Sequence, residues 1–237
     1  MSWETKKYSA RFSLKKREDF FITSKIWYTQ YSDVEGGIKK SLSSLKLDYV
    51  DLYMVHWPLG IKAKPMKPLH KLWPELEALV DKGYTKSIGV SNFNTQLIWD
   101  LLTYARIKPV VNQIELNPQH AQTELIRFLI ANDIRPVAYT PICRIGHEKS
   151  HDFTQEDLMK TLAAKYNKSV PQIMLNWGVS RGCVVIPKAT SLEHQVENSQ
   201  IFDFALTEEE VKAIEGLNQN IRLCNKVGFF GGFDLFA

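Results

Sequence analysis

Apolar residues along this chain alternate between two patterns: short runs of branched or aromatic residues, and longer stretches with an apolar stripe at helical spacing. Phe20-Phe21-Ile22-Thr23-Ser24 predicts a first strand. Ser32, followed at the reciprocal position by Glu35, predicts a capped helix presenting Ile38, Leu42 and Leu45 on one face. Val50 to Val55 predicts the next strand, broken only by Asp51, and its apolar run is of the kind covered on both faces in a parallel sheet.

The alternation then repeats. Leu72, Trp73, Leu76, Leu79 and Val80 mark a helix that Gly83 ends, and Ser87 to Val90 marks a strand. Ile98, Leu101, Leu102 and Ala105 form a helical stripe before a strand beginning at Val110-Val111. Leu125, Phe128 and Leu129 line a helix before the strand from Ile134 to Tyr139. Leu158, Leu162 and Ala163 mark another helix, and Ser169, Pro171 and Gln172 open the one after it. Cys183 to Ile186 is the last predicted strand, with Leu192 to Asn198 helical beyond it. Thr207-Glu208-Glu209-Glu210 starts a final helix through Leu217.

Six successive strand–helix units therefore lie between Phe20 and Asn198. Short strands joined by crossover helices predict an α/β fold of the TIM-barrel kind. Eight units make a closed barrel, and only about twenty residues precede the first strand. The expectation is an incomplete barrel, with residues 1–19 as an atypical N-terminal segment, 20–222 as the partial barrel and 223–237 as a glycine- and aromatic-rich tail that flaps over or lines a substrate pocket.

Composition narrows the class without changing it. A chain of 237 residues with 44% hydrophobic and 24% charged residues is that of a folded domain, and a formal charge of +4 gives no reason to expect nucleic acid as a partner. The basic run Lys15-Lys16-Arg17, followed by Glu18-Asp19, is expected in a solvated connection. Cys143, Cys183 and Cys224 have neither zinc-ligand nor CxxC spacing, which predicts unpaired thiols, no metal and a cytoplasmic setting. No apolar stretch approaches the roughly 20 residues that span a bilayer.

In a parallel barrel the chemistry gathers at the carboxyl ends of the strands. Lys25, His56, Trp57, Ser91, Asn92, Gln113, Tyr139 and Lys188 all fall at or just beyond predicted strand ends. An imidazole at 56 suits proton transfer near neutral pH, and an amine at 25 suits stabilisation of oxygen charge. Ser91, Asn92 and Gln113 offer short donors and acceptors for a carboxamide or sugar, and Tyr139 a flat face for an aromatic ring. Lys188, ahead of a helix start near Ser191, suits a phosphate. Trp27 and Trp57 are candidate apolar walls for a substrate. Each residue alone is also compatible with ordinary packing or capping. No GxGxxG fingerprint, Walker loop, nucleophile elbow or metal cluster is present.

With these positions in hand, the chain resembles the aldo-keto reductase family. The resemblance is carried by 17–27 (REDFFITSKIW), 47–58 (LDYVDLYMVHWP), Ile88-Gly89-Val90-Ser91-Asn92-Phe93, Asn112-Gln113-Ile114-Glu115 and Ile186-Pro187-Lys188, collinear over roughly residues 17 to 222. It implies NADP(H) as cofactor and a small carbonyl or alcohol as substrate. It implies catalytic roles for Lys25 and His56, carboxamide contacts from Ser91, Asn92 and Gln113, and nicotinamide stacking on Tyr139 beside Thr140. It further implies phosphate contacts from Lys188, Ala189 and Thr190, and adenine-side contacts from Glu197 and Asn198. His194 stands where the family commonly has an arginine. Loss of that permanent bidentate fork predicts weaker preference for, or affinity to, NADPH.

The family's catalytic tyrosine and aspartate belong to segments upstream of the part matching Phe20 to Trp27. Nothing before Phe20 reproduces those segments, and Tyr8 lacks their context. The expectation is a shortened family member whose activity is in doubt, since loss of general acid catalysis reduces rate by roughly 10²–10⁴-fold. The alternative is a weak or inactive NADP(H)-binding or protein-interaction scaffold. Self-association to cover the incomplete barrel is also expected.

Overall fold

In a computed structural model of the chain, residues 16–58, 67–144 and 147–224 are described. They form two compact units, the first from the described residues up to 91 together with 97–110, the second from 92–96 together with the described residues from 111 onward.

The first unit carries strands β1 (Thr23–Ile26), β2 (Val50–Val55) and β3 (Thr85–Ser91), with helices α1 (Val34–Leu45), α2 (Leu69–Asp81) and most of α3 (Thr95–Tyr104). The strands pair in parallel and in chain order, with Lys25 opposite Met54 and Met54 opposite Gly89. Every residue of β2 is buried, as its apolar run predicts for a strand with another on each side. The charged member of that run, Asp51, is buried with a complete set of partners. Its carboxylate accepts the Ile22 N–H at 2.8 Å and the Arg17 guanidinium at 2.7 Å, and Lys86 lies at 3.0 Å.

That arrangement corrects two expectations. Arg17 does not sit in a solvated run: its side chain is 18% exposed, bonds Asp51 and stacks on the Tyr49 ring at 4.2 Å. Strand β1 also starts three residues later than predicted. The Phe20 carbonyl accepts from Arg17 and the Ile22 N–H is taken by Asp51, so side chains satisfy part of the backbone that a strand neighbour would otherwise occupy.

The second unit repeats the scheme with β4 (Val111–Glu115), α4 (Thr123–Ala131), β5 (Arg135–Tyr139), α5 (Asp157–Tyr166), α6 (Val170–Ser180), β6 (Val184–Val185), α7 (Leu192–Ser199) and α8 (Glu208–Glu215). Strands β4, β5 and β6 pair in parallel in chain order. The helix starts follow their cap chemistry. The Ser169 hydroxyl accepts the Gln172 N–H while the Gln172 side chain accepts the Ser169 N–H, and Thr207 and Glu210 do the same for α8. At α1 the cap is Asp33 rather than Ser32, its carboxylate accepting the Gly36 N–H at 2.8 Å. Helix α8 stops at Glu215, two residues short of the predicted Leu217.

Strand β6 has two residues instead of the predicted four. Ile186 still donates to the Ala138 carbonyl at 3.1 Å, but Pro187 has no N–H with which to continue the ladder. Helix α6 crosses this short strand closely at Gly178, where an added Cβ would lie 2.8 Å from a Val185 methyl. Among the described residues, six strands, each followed by a helix, thus stand where the sequence predicts six. Among the described residues no helix is long and apolar enough to cross a membrane.

Candidate functional site

In the first unit, strand register brings the candidate groups onto one face. Residues opposite each other in a parallel pair point the same way, and side chains alternate along a strand. Lys25 and Trp27 therefore share a face with Met54 and His56, and with Gly89 and Ser91 of the third strand. His56 is fixed there because its N–H donates to the Ile26 carbonyl at 3.2 Å, carrying the pairing one residue past β2. The Trp27 ring meets the His56 ring edge-on, centroids 4.7 Å apart.

The residues following β1 hold this corner. Gln30 donates its N–H to the Trp27 carbonyl at 2.8 Å and accepts the Trp27 N–H on its side chain at 3.1 Å, closing a single turn over Tyr28–Gln30. The Tyr31 hydroxyl then donates to the Trp57 carbonyl, so the chain just beyond β2 is tied to the chain just beyond β1. Trp27 is half-buried, whereas the Trp57 side chain is almost wholly enclosed. Burial lowers the pKa of the Lys25 amine, because desolvation disfavours the ammonium.

In the second unit, Asn92 adopts φ 65° and donates its N–H to the Gln113 carbonyl at 2.9 Å. Its side-chain oxygen accepts the Tyr139 hydroxyl at 2.8 Å, so the amide and the ring fix each other. Asn112 braces the same bend, donating its side-chain amide to the Phe93 carbonyl at 2.8 Å. Tyr139 leads into Thr140, a β-branched residue at φ 52°, whose hydroxyl donates to the Tyr139 carbonyl at 2.7 Å. Such a backbone costs of order 1–3 kcal/mol and persists where its surroundings impose it. Burial, followed by the charge of Glu115, raises the pKa of the Tyr139 phenol.

Lys188 and Thr190 are exposed and Ala189 half-buried on the connection into α7. Ser191 caps that helix, its hydroxyl accepting the His194 N–H at 3.2 Å. His194 is exposed one turn into α7, with Glu197 and Asn198 half-buried beyond it. Glu197 is engaged locally: its carboxylate accepts the Ser169 hydroxyl and its carbonyl accepts the Gln172 amide at 3.0 Å.

Several residues of consequence carried no assigned role in the sequence reading. Glu115, fully buried on the same face as Tyr139, accepts the N–H groups of Leu223 and Cys224 at 2.6 and 2.9 Å. Burial raises its pKa while those two N–H groups, Arg222 and Arg144 oppose the rise. Gln119 accepts the N–H groups of Gln219 and Ile221 on its carbonyl, and Asn218 accepts the Ala121 N–H. Residues 218–224 are thus latched to the β4–α4 connection. The visible signal was two charged or amide side chains, Asn112 and Glu115, inside a strand, where a buried polar group needs a specific partner. The aromatic stretch 229–233, expected as a pocket flap, lies outside the described residues, as does Tyr8.

The comparisons with known proteins agree with this architecture. The Aldo/keto reductase family model matches residues 5–219. Aldose reductase C of Dictyostelium discoideum is 40% identical over 237 residues, covering 91% of this chain and 73% of its own length. The aldo-keto reductase family 1 member A1 of Gallus gallus is 40% identical over 227 residues, covering 87% of the chain and 69% of its own length. Among solved structures, a Bombyx mori aldo-keto reductase in complex with NADP superposes with a TM-score of 0.86 at 34% identity, over 92% of this chain and 74% of that one. The order of the strands, the residues at their carboxyl ends and these matches together make the chain a member of the aldo/keto reductase family.

Proposed function

We infer that this chain is an oxidoreductase lineage member that moves a hydride between NADP(H) and a small aldehyde or ketone, interconverting carbonyl and alcohol. The observation that carries the reading is the shared face of Lys25 and His56 at the carboxyl ends of β1 and β2, with the Trp27 ring beside the imidazole. When bound, the nicotinamide supplies or accepts the hydride. The chain's own groups suit such a cofactor. Asn92 and Gln113 are amides matched to a carboxamide, and Tyr139 is a half-exposed ring held by Asn92. Lys188 is an exposed cation just ahead of a capped helix start, the chemistry a phosphate requires. The Bombyx mori relative's complex with NADP supports the same choice.

In this reading Lys25 and His56 handle the charge and proton at the substrate oxygen. The Lys25 amine, when protonated, offsets negative charge developing on that oxygen, and a ring nitrogen of His56 donates to it. Trp27 gives the substrate an apolar wall that keeps water off this corner, and favours small substrates over charged ones. His56→Gln and Lys25→Met should each lower kcat by roughly 10²-fold or more while leaving NADPH affinity within a factor of about three. The check is NADPH consumption with a panel of small aldehydes, beside calorimetric cofactor binding.

A second reading, cofactor binding with little or no turnover, draws on two tyrosines of the first unit. The Tyr31 hydroxyl is committed to the Trp57 carbonyl and Tyr53 is fully buried, and burial raises the pKa of both. Neither is set up to give a proton to a substrate. Calorimetric NADPH binding without carbonyl-dependent oxidation would select this reading, and turnover would exclude it.

Val184 and Ile186, together with Leu192, Val196 and Phe202, are exposed apolar side chains of the second unit, and exposed apolar side chains of this kind favour self-association. A monomer by sedimentation at micromolar concentration would exclude it. The wide, odd spacing of Cys143, Cys183 and Cys224, with no CxxC pair, favours a reducing, cytoplasmic setting.

A further inference from the structure

We propose that Gln119 is a positioning residue that couples two separate stretches of the second unit, the β5–α5 connection and residues 218–224, so that they hold and release together. The coupling is independent of which ligand the strand ends receive.

Gln119 lies in a tight turn that follows β4. Asn117 and His120 exchange backbone bonds across it, at 2.9 and 3.4 Å, and Pro118 stiffens its first corner. Gln119 is fully buried, and a buried amide is stable only where its donors and acceptor find partners. Its side-chain nitrogen Nε2 donates to the Lys149 carbonyl at 2.6 Å, and its Oε1 accepts the His151 N–H at 2.7 Å. Its backbone carbonyl accepts the N–H groups of Gln219 and Ile221 at 3.0 and 3.4 Å. Burial raises the pKa of the Cys143 thiol while a hydrogen bond from the Gln119 N–H opposes the rise, so the start of the β5–α5 connection is held as well.

Each held stretch is also tied within itself. In the β5–α5 connection, Ser150 donates its N–H to the His147 carbonyl at 2.8 Å and its hydroxyl accepts the Arg144 N–H at 3.2 Å. The His151 ring bonds Glu156 at 2.6 Å and meets the Phe153 ring edge-on. In the other stretch, the Asn218 side-chain oxygen accepts the N–H groups of Ala121 and Asn220, both at 3.1 Å, and Glu115 holds Leu223 and Cys224. Two pieces that share one buried residue respond as pieces. With the Gln119 amide fixed at both its atoms, a shift of residues 149–151 turns the side chain, and with it the backbone carbonyl that holds 219 and 221. Glu115 is the register partner of Tyr139, so both stretches are anchored at the strand ends that carry that ring. A molecule bound there that displaces one stretch must loosen the other.

The test is amide hydrogen exchange in the cofactor-free chain, read residue by residue by NMR. Gln119→Met removes both side-chain bonds at similar length and leaves the backbone carbonyl in place. His151 should exchange faster through direct loss of its acceptor. Coupling adds that Gln219 and Ile221 also speed up, by about fivefold or more, although their own acceptor is untouched. Coupling between two stretches is reciprocal. Asn218→Ala, which removes the acceptor of the Ala121 and Asn220 N–H groups, should therefore speed His151 by a comparable factor, with the amides of α5 and α6 unchanged. Faster exchange confined to His151 in the first variant, or to Ala121 and Asn220 in the second, would overturn the proposal, as would an equal acceleration throughout α5 and α6. If Gln119→Met does not fold, Asn218→Ala reads the same coupling alone, and absent NADPH turnover has no bearing on either result.

Discussion

At residue 194 an imidazole stands one turn into α7, close in sequence to Lys188 and Thr190. Arginine there would offer two fixed donors to a phosphate instead of one adaptable ring. His194→Arg should tighten NADPH binding several-fold, with little effect on NADH, and steepen its dependence on salt. Calorimetry at two ionic strengths reads this directly. A different histidine sets the acid limit of the fold. His120 is almost fully buried, neither ring nitrogen has a hydrogen-bond partner, and burial with the nearby Arg222 charge lowers its pKa to about 4. The unfolded chain takes up this proton near pH 6.5 whereas the folded chain resists it to about 4, so stability falls as pH drops through that window. The loss approaches about 3 kcal/mol. His120→Leu should flatten the profile between those pH values without lowering stability at neutrality, measured by urea titrations. Asp51 acts lower. Burial opposes its charge, but the Ile22 N–H, Arg17 and Lys86 hold its pKa down to about 2, so its contribution persists above pH 4 and is lost on approach to pH 2. Asp51→Ala should destabilise by about 3 kcal/mol, because it leaves the Arg17 guanidinium poorly exposed and without its carboxylate.

Elements were legible in proportion to how local their causes are. Strand β2 and the Ser169 cap were readable because an apolar run interrupted only by Asp51 and a reciprocal Ser/Gln pair each contain their own explanation. The start of β1 was not, because it depends on Arg17 and Asp51 meeting across 34 positions of sequence. The choice of Asp33 over Ser32 was equally hidden: both are good caps, and only the position of the Gly36 N–H decides. Candidate strand-end residues could be named because parallel strands deliver their last residues to one end. Their mutual support could not. The Asn92–Tyr139 bond and the Glu115 contacts to Leu223 and Cys224 join residues 47 and 108–109 positions apart. Glu115→Ala should free the segment 218–224, seen as faster amide exchange there, with β1–β3 unchanged. Gly178→Ala should strain the α6–β6 approach and shift the chain leading to Lys188, costing about 1–3 kcal/mol and weakening NADPH binding.

For the molecule as a whole, the count of six strand–helix units was available from periodicity, and family membership from the collinear motifs. What periodicity cannot supply is how stability is divided. The first unit holds the amine and the imidazole on strands fixed by an ion cluster around the buried Asp51. The second holds the amide, the ring and the basic helix start on strands whose polar interior is satisfied by its own loops. Perturbing Asp51 should therefore impair carbonyl-dependent NADPH consumption before it impairs NADPH binding, and perturbing Glu115 should do the reverse; parallel titrations of the two variants would show it.

The carboxylate of Glu115 has a consequence for how such a protein can change over time. By gripping the backbone N–H groups of Leu223 and Cys224 rather than their side chains, it makes no demand of its own on the side chain at position 224. Any residue there except proline keeps the N–H and so the grip, whereas the buried acid, two strand positions from Gln113, is the member of the pair that has to be kept.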